Sequence, residues 1–190
     1  MAKAIGALLF DTALGGCGIA WSEQGIVGVQ LPEANPTQTR ARLHRRHGLA
    51  PLDAAPPAVQ RAVEGIVGLL SGAPVDLNDV RLDLDGVPAL HRRAYDIARG
   101  IRVGATLTYG DIAMRLGEPR LARAVGQAMA HNPIPIIIPC HRVLAAGGRS
   151  GGFSGGAGVS TKLRLLAIEG AQPPGEPDLF SLPRTPDSLS

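Results

Sequence analysis

The stretch Thr108–Ala130, TYGDIAMRLGEPRLARAVGQAMA, holds two short helical patterns separated by Gly117, Glu118 and Pro119. Thr108 followed three residues later by Asp111 is a capping pattern, in which a hydroxyl accepts from the helix and a carboxylate reaches back to the cap. Gly117 ends that first helix, because glycine adopts the left-handed conformation that closes helices. Pro119 suits the first turn of a second helix, which runs to about Ala130 and is stopped by His131, Asn132 and Pro133. Two short helices joined by a tight turn predict a helix-turn-helix, a pattern that a plain helical hairpin shares. At about 100° per residue from Leu121, one side of the second helix holds Leu121, Val125, Ala128 and Met129. The other holds Ala122, Arg123, Gly126, Gln127 and Ala130. A solvated face normally carries long charged side chains, whereas alanines and a glycine let another surface approach the backbone, with Arg123 projecting from the centre. A DNA groove fits that description and so does a second protein layer; periodicity does not choose between them.

Upstream, apolar runs alternate with glycine turns. AIGALLF (Ala4–Phe10), CGIAW (Cys17–Trp21) and GIVGVQL (Gly25–Leu31) predict an antiparallel β-meander. NPTQTRARLHRRHG predicts a basic helix closed by Gly48. In PPAVQRAVEGIVGLLSG, Val59, Val63, Ile66 and Leu70 recur at helical spacing, with prolines at the start and Gly72 after the end. VRLDLDG is expected to add one more strand and to close an N-terminal α+β unit over residues 1–86. PALHRRAYDIARGI predicts a helix with Leu90, Ala94, Ile97 and Ile101 on one face, opening a mostly helical unit over residues 87–172. The expected fold class is therefore α+β. Residues 173–190, rich in proline and polar groups, lack core periodicity and are expected to form a flexible tail.

With 190 residues and 45% hydrophobic content, the chain can bury the core of one ordinary domain or of two small ones sharing it. Its 25 glycines and 16 prolines follow no period, so they serve turns rather than a fibre. Two cysteines, Cys17 and Cys140, exclude a four-thiolate metal site and a disulfide framework, and suit a reducing compartment. The opening MAKAIGALLF reaches Asp11 after too short an apolar run for a secretory signal, and no segment approaches the ~18 apolar residues of a membrane helix. A soluble cytoplasmic protein without membrane association is expected. The net charge of +3 is compatible with a polyanionic partner without establishing one. Arginines cluster in RARLHRRH (Arg40–His47), in HRR (His91–Arg93) and around Arg120, Arg123, Arg142 and Arg149, and most such clusters are solvated helix faces.

In PIIIPCHRVLAAGG (Pro135–Gly148), Cys140 stands directly before His141 at the end of an apolar run. A thiol becomes a useful nucleophile when its thiolate is favoured, for instance by an imidazole, and when it stays reachable. Taken alone, a Cys-His pair is more often an ordinary buried thiol beside a histidine. The surroundings change that weighting. IPCHRV (Ile138–Val143) resembles the active-site signature of the O6-alkylguanine-DNA alkyltransferases. The resemblance continues in the family's order through TYGDIA, ARAVGQAM, NPIPIIIPCHRV, GGFSGG and KLRLLAIEG, covering Thr106 to Gly170. FDTALGGCGIAW is similar to the first strands of bacterial members.

The resemblance implies an N-terminal domain of ribonuclease-H-like form, followed by a helical DNA-binding domain with a helix-turn-helix. It implies that Cys140 attacks the alkyl carbon on guanine O6 and keeps the group as a thioether, so that each molecule acts once. His141 takes the thiol proton through water, Glu169 orients His141, and Asn132 braces the turn between recognition helix and site. Tyr109 helps rotate the phosphate and donates a proton toward guanine N3. Arg123 is the finger inserted into the base stack while the damaged nucleotide is rotated out, on a helix lying in the minor groove with Ala122, Gly126 and Gln127 against the DNA. The carbonyls of Cys140 and Val143 accept from the guanine amino group, the amide of Ser154 donates toward O6, and Phe153 stacks on the base where a tyrosine often stands. The implied partner is double-stranded DNA carrying O6-alkylguanine, with O4-alkylthymine as a further substrate. A monomer in solution is implied, cooperative loading on DNA being left open. No cofactor is expected and no structural metal, because the Cys/His set used by some members is missing.

Departures from the family pattern fall at Leu90 and Tyr95, which replace the usual aromatic residues of that helix, and at Arg102, where proline is common. Packing is expected to differ there. The spacing from GGFSGG to Lys162 is that of some bacterial members, and Cys17 is expected to be a small buried hydrophobe in a strand. Without the resemblance, Glu169 reads as a helix-end charge, Asn132 as a helix stop and Tyr109 as a core tyrosine. Two other functions compete. One is a non-catalytic damage-sensing or regulatory DNA-binding module, against which Cys140 argues; the other is a Cys-His hydrolase, which needs turnover that nothing here favours.

Overall fold

The computed structural model describes residues 3–52, 54–148 and 158–171. Strands β1 (Gly6–Thr12), β2 (Gly15–Trp21) and β3 (Ile26–Gln30) form an antiparallel meander in that order, as the alternation of apolar runs and glycine turns predicts. Phe10 lies opposite Cys17 and Thr12 opposite Gly15, and the register shifts between Ala20 and Trp21. VRLDLDG does not become the fourth strand expected of it. It meets β3 at one parallel bridge, Ile26 with Leu82. The cause lies in its aspartates: Asp83 accepts from the Ser22 hydroxyl and from the amide of Asp85. Such local side-chain bonds offer the chain an alternative to a continued ladder. Gly25 allows the crossing, because a Cβ there would stand 2.6 Å from the Arg81 carbonyl oxygen.

Helix α1 (Pro36–His47) is capped by the Asn35 side chain and closed by Gly48 in the left-handed region, and it buries Leu43. Helix α2 (Pro57–Leu70) buries Val59, Ala62, Ile66, Leu69 and Leu70. In α3 (Ala89–Arg99) the buried stripe is rotated from the expected one. It runs through Ala94, Tyr95 and Ala98, while Leu90 and Ile97 are only partly covered. Tyr95 is the reason, since its hydroxyl donates to the Ala128 carbonyl at 2.8 Å and pins α3 to α5 (Ala122–Ala130).

Between them come β4 (Leu107–Thr108) and α4 (Tyr109–Arg115), whose Thr108–Asp111 capping box is formed in both directions. The helix expected from Pro119 begins as a 3-10 turn, Pro119–Leu121, and becomes α-helical at Ala122. A second 3-10 turn, Cys140–Arg142, leads into β5 (Val143–Leu144). This strand pairs in parallel with β4, Leu107 opposite Val143 and Thr108 opposite Leu144. Helix α6 (Val159–Ile168) follows.

One apolar cluster joins the sheet to the helices: it contains Ile19 and Trp21 as well as Ile66, Tyr95, Val125, Ile138 and Leu165. Each fully covered aliphatic side chain of this kind contributes roughly 1.5–3 kcal/mol. The Val29 amide donates to the Pro133 carbonyl at 3.1 Å, so β3 touches the turn that delivers Cys140. Among the described residues no helix is long and apolar enough to cross a membrane.

Candidate active site

The turn from α5 to Cys140 is shaped by Asn132. Its buried side chain accepts from the Ile134 amide at 2.9 Å and donates to the Ile138 carbonyl at 2.8 Å, which closes the loop on itself. Inside that loop Ile136 has φ of 77°, the one positive value among the described non-glycine residues. A branched side chain there costs ~1–2 kcal/mol of backbone strain. Burial of Ile136, 1% exposed, and the Asn132 clamp offset it.

Cys140 emerges with its residue only 4% exposed. Burial raises its thiol pKa, and the Asn132 amide, the Lys162 charge and nearby backbone amides oppose that rise without cancelling it. A reachable sulfur with its thiolate favoured is what the sequence reading asks for; in the structure the group at rest is a covered thiol, and only loss of its proton would make it a nucleophile. His141, fully buried, has the means. Its Nε2 lies 2.9 Å from Glu169 Oε1, while Nδ1 is buried with no hydrogen-bond partner among the described residues. Burial lowers the imidazole pKa and Glu169 only partly restores it, so the ring is neutral near pH 7. With the Nε2 proton donated to the carboxylate, Nδ1 carries a free lone pair and can serve as a base.

Glu169 sits at the end of α6 with a side chain 2% exposed. Arg142 grips it with two bonds, Nε to Oε2 and one terminal nitrogen to Oε1, each 2.8 Å, and its other terminal nitrogen donates to the Ile101 carbonyl. Burial alone pushes the Glu169 carboxyl up, but the hydrogen bonds from His141 and Arg142 outweigh it and hold the pKa at about 2. The carboxylate therefore stays ionised and fixes the histidine.

Pairing of β4 with β5 brings Tyr109 to the same place. The Tyr109 hydroxyl has its pKa raised by burial and by Cys140, which puts the two groups within electrostatic reach. The Val143 carbonyl accepts from Lys162 Nζ at 2.6 Å. Lys162 is wholly buried, lies 5.9 Å from the Tyr109 ring centroid, and has its pKa lowered by burial to about 8 against the pull of Cys140. Neither Lys162 nor Arg142 receives a role from the sequence alone. A signal existed for the lysine: Lys162, Leu165, Leu166 and Glu169 fall at i, i+3, i+4 and i+7, so a cation shares the inward stripe of α6.

On α5, Arg123 and Gln127 are exposed, Ala122, Gly126 and Ala130 are half-buried, and Val125, Ala128 and Met129 face the core, as the periodicity predicts. Gly126 looks toward Tyr109, whose ring carbon would lie 4.0 Å from a Cβ added there. Phe153, Ser154 and Arg149 lie outside the described residues, as does the tail. Cys17 is fully buried in β2, where burial raises its pKa to about 11. Among the described residues no group of three or more His, Cys, Asp or Glu side chains is placed to hold a metal ion.

Fold and site together define a class: an α+β protein in which a buried cysteine directly precedes a buried histidine held by a carboxylate, on the chain that follows a helix with a small-residue face. The family model "6-O-methylguanine DNA methyltransferase, DNA binding domain" matches residues 89–171. A methylated-DNA–protein-cysteine methyltransferase of Methanothermobacter thermautotrophicus is 34% identical over 161 residues, 84% of this chain and 82% of that one. Its namesake from Mycolicibacterium paratuberculosis is 41% identical over 125 residues, 66% of this chain and 73% of that one. A crystal structure of Mycobacterium tuberculosis OGT in complex with DNA matches with a TM-score of 0.69 and 32% identity, covering 87% of this chain and 93% of that one. The chain belongs to the methylated-DNA–protein-cysteine methyltransferase family.

Proposed function

We propose that this chain repairs duplex DNA by moving the alkyl group of O6-alkylguanine irreversibly onto Cys140, once per molecule, with O4-alkylthymine as a second substrate. The observation that carries the proposal is the buried His141–Glu169 contact at 2.9 Å, which leaves Nδ1 as the free base next in sequence to the thiol. His141 takes the thiol proton through a water, and the sulfur attacks the alkyl carbon. The carbon–O6 bond breaks with its electron pair left on guanine, which gains a proton at nitrogen, Tyr109 donating toward N3. A thioether is not hydrolysed by any group here, so the reaction ends there.

In this proposal α4 and α5 act as a helix-turn-helix, α5 enters the minor groove, and Arg123 fills the gap left by the rotated nucleotide. Ala122, Gly126 and Gln127 face the duplex, the Val143 carbonyl receives the guanine amino group, and Phe153 and Ser154 complete the base pocket. Residues 1–86 serve as the scaffold and residues 87–172 as the DNA-binding and catalytic unit of a cytoplasmic monomer. Membership of a family whose M. tuberculosis relative is seen with DNA supports this.

The test is to incubate the protein with a duplex containing O6-methylguanine and measure intact and peptide masses. One added methylene on the Cys140 peptide is expected, saturating at one per molecule and absent from Cys140→Ser. Turnover beyond one equivalent, or transfer to another residue, sinks the proposal.

A further inference from the structure

Cys140 also lines a cavity of about 530 Å³ between the turn after α5 and the N-terminal unit. Met129 and Pro135 give that cavity apolar wall, and Arg42, Arg45 and Arg46 of α1 stand along it. These arginines belong to the basic cluster that the repair chemistry leaves without a role. Glu33 pairs with Arg42 at 3.1 Å, but among the described residues Arg45 and Arg46 form no salt bridge. The guanidinium of Arg46 is partly desolvated and is repelled by Arg42. A cavity bordered by Cys140 thus carries uncompensated positive charge.

We infer that α1 sets the adduct preference of Cys140, the cavity receiving the distal part of the O6-alkyl group and Arg45 and Arg46 favouring groups that end in an anion. The inference rests on the transfer proposal above and deepens it. The sulfur ends bonded to the first alkyl carbon, so whatever lies beyond that carbon must occupy space bordering the sulfur. A methyl group offers the arginines no charge to pair with. A carboxymethyl group is the smallest anionic adduct, and a guanidinium fork matches its carboxylate. Transfer proceeds as for methyl: the thiol proton leaves through His141, the carbon–sulfur bond forms, the carbon–O6 bond breaks, guanine is reprotonated, and the carboxylate passes through unchanged.

The experiment measures single-turnover rates of the full chain on three duplexes carrying O6-methyl-, O6-carboxymethyl- or the neutral, equally sized O6-carbamoylmethylguanine. Arg45→Gln with Arg46→Gln should leave the methyl and carbamoylmethyl rates unchanged and lower the carboxymethyl rate roughly fivefold, the scale of partly exposed charge pairs. Lysine at both positions should retain most of the preference, and Glu33→Gln, which releases Arg42, should raise it. Added salt should erode it. Equal losses on all three duplexes would make the arginines contacts to the DNA backbone and overturn the inference, as would a carboxymethyl rate that does not change. A wild-type protein that modifies Cys140 from none of the three duplexes removes the transfer proposal and this inference with it, whereas normal methyl transfer without a charge effect removes this inference alone.

Discussion

Glu169 ties His141 and Arg142 into one buried contact. It accepts from His141 and twice from Arg142 in a setting closed to water, so Glu169→Gln leaves a buried guanidinium without its counter-charge. Breaking such a pair from one side costs on the order of 3–5 kcal/mol. The pH dependence has a definite sign. The folded pKa is about 2 against an ordinary 4.5, so the contribution is fully present above pH 4.5 and disappears as pH falls toward 2. Urea midpoints measured through that window should fall for the wild type, and the difference from Glu169→Gln should shrink. Lys162 runs the other way. Its folded pKa of about 8, against 10.5, means that the folded state pays to keep the charge near neutral pH and is relieved as the unfolded chain alone binds the proton. The stability of the wild type relative to Lys162→Met should therefore rise between pH 8 and pH 10.5, by up to about 3 kcal/mol. A flat difference over that range would mean that the amine is charged and compensated in the folded protein.

Helix α5 is the element on which the DNA proposal turns. Gly126→Ala adds helix propensity of roughly 0.5–1 kcal/mol, and the new methyl meets Tyr109 at ordinary contact distance. The thermal midpoint should hold or rise. Repair of duplex DNA should nevertheless slow while alkylation by free O6-benzylguanine is preserved, and Arg123→Ala should show the same split. An equal effect on both substrates would place the small face elsewhere than in the groove. How much of this was legible in the sequence follows from which forces are local. Capping of α4, the stop after α5 and the sheet turns are written within a few residues, and all are found. VRLDLDG failed as a strand because Asp83 binds Ser22 and the amide of Asp85, which apolar alternation does not register. The stripe of α3 was misplaced because Tyr95 reaches Ala128, 33 residues away. Ile136 at positive φ had no glycine to announce it, being held by Asn132 and by burial. The contact of His141 with Glu169 is the one that motif order anticipates, but the Arg142 grip on Glu169 joins residues 27 apart and needed the fold.

Across the whole molecule, the chain is expected to unfold as one body although its sequence divides near Gly86. The apolar cluster runs without a break from Ile19 in the sheet to Leu165 in α6. Polar ties cross the same boundary: Val29 to Pro133, and Arg99 of α3 to the carbonyls of Leu77, Asn78 and Val80. Half of such a core cannot be exposed without stripping the other half, which is the condition for a cooperative transition. The single tryptophan makes this measurable, because Trp21 lies in the N-terminal sheet while α3 to α6 lie beyond Gly86. Trp21 fluorescence and far-ultraviolet circular dichroism should give superimposable urea curves. Tyr95→Phe, which removes the hydroxyl bond to Ala128 deep in the C-terminal half, should move both curves together by about 1–2 kcal/mol. A shift seen by circular dichroism alone would mean that the halves unfold separately, and residues 1–86 would then be a domain in the energetic sense as well as in the sequence.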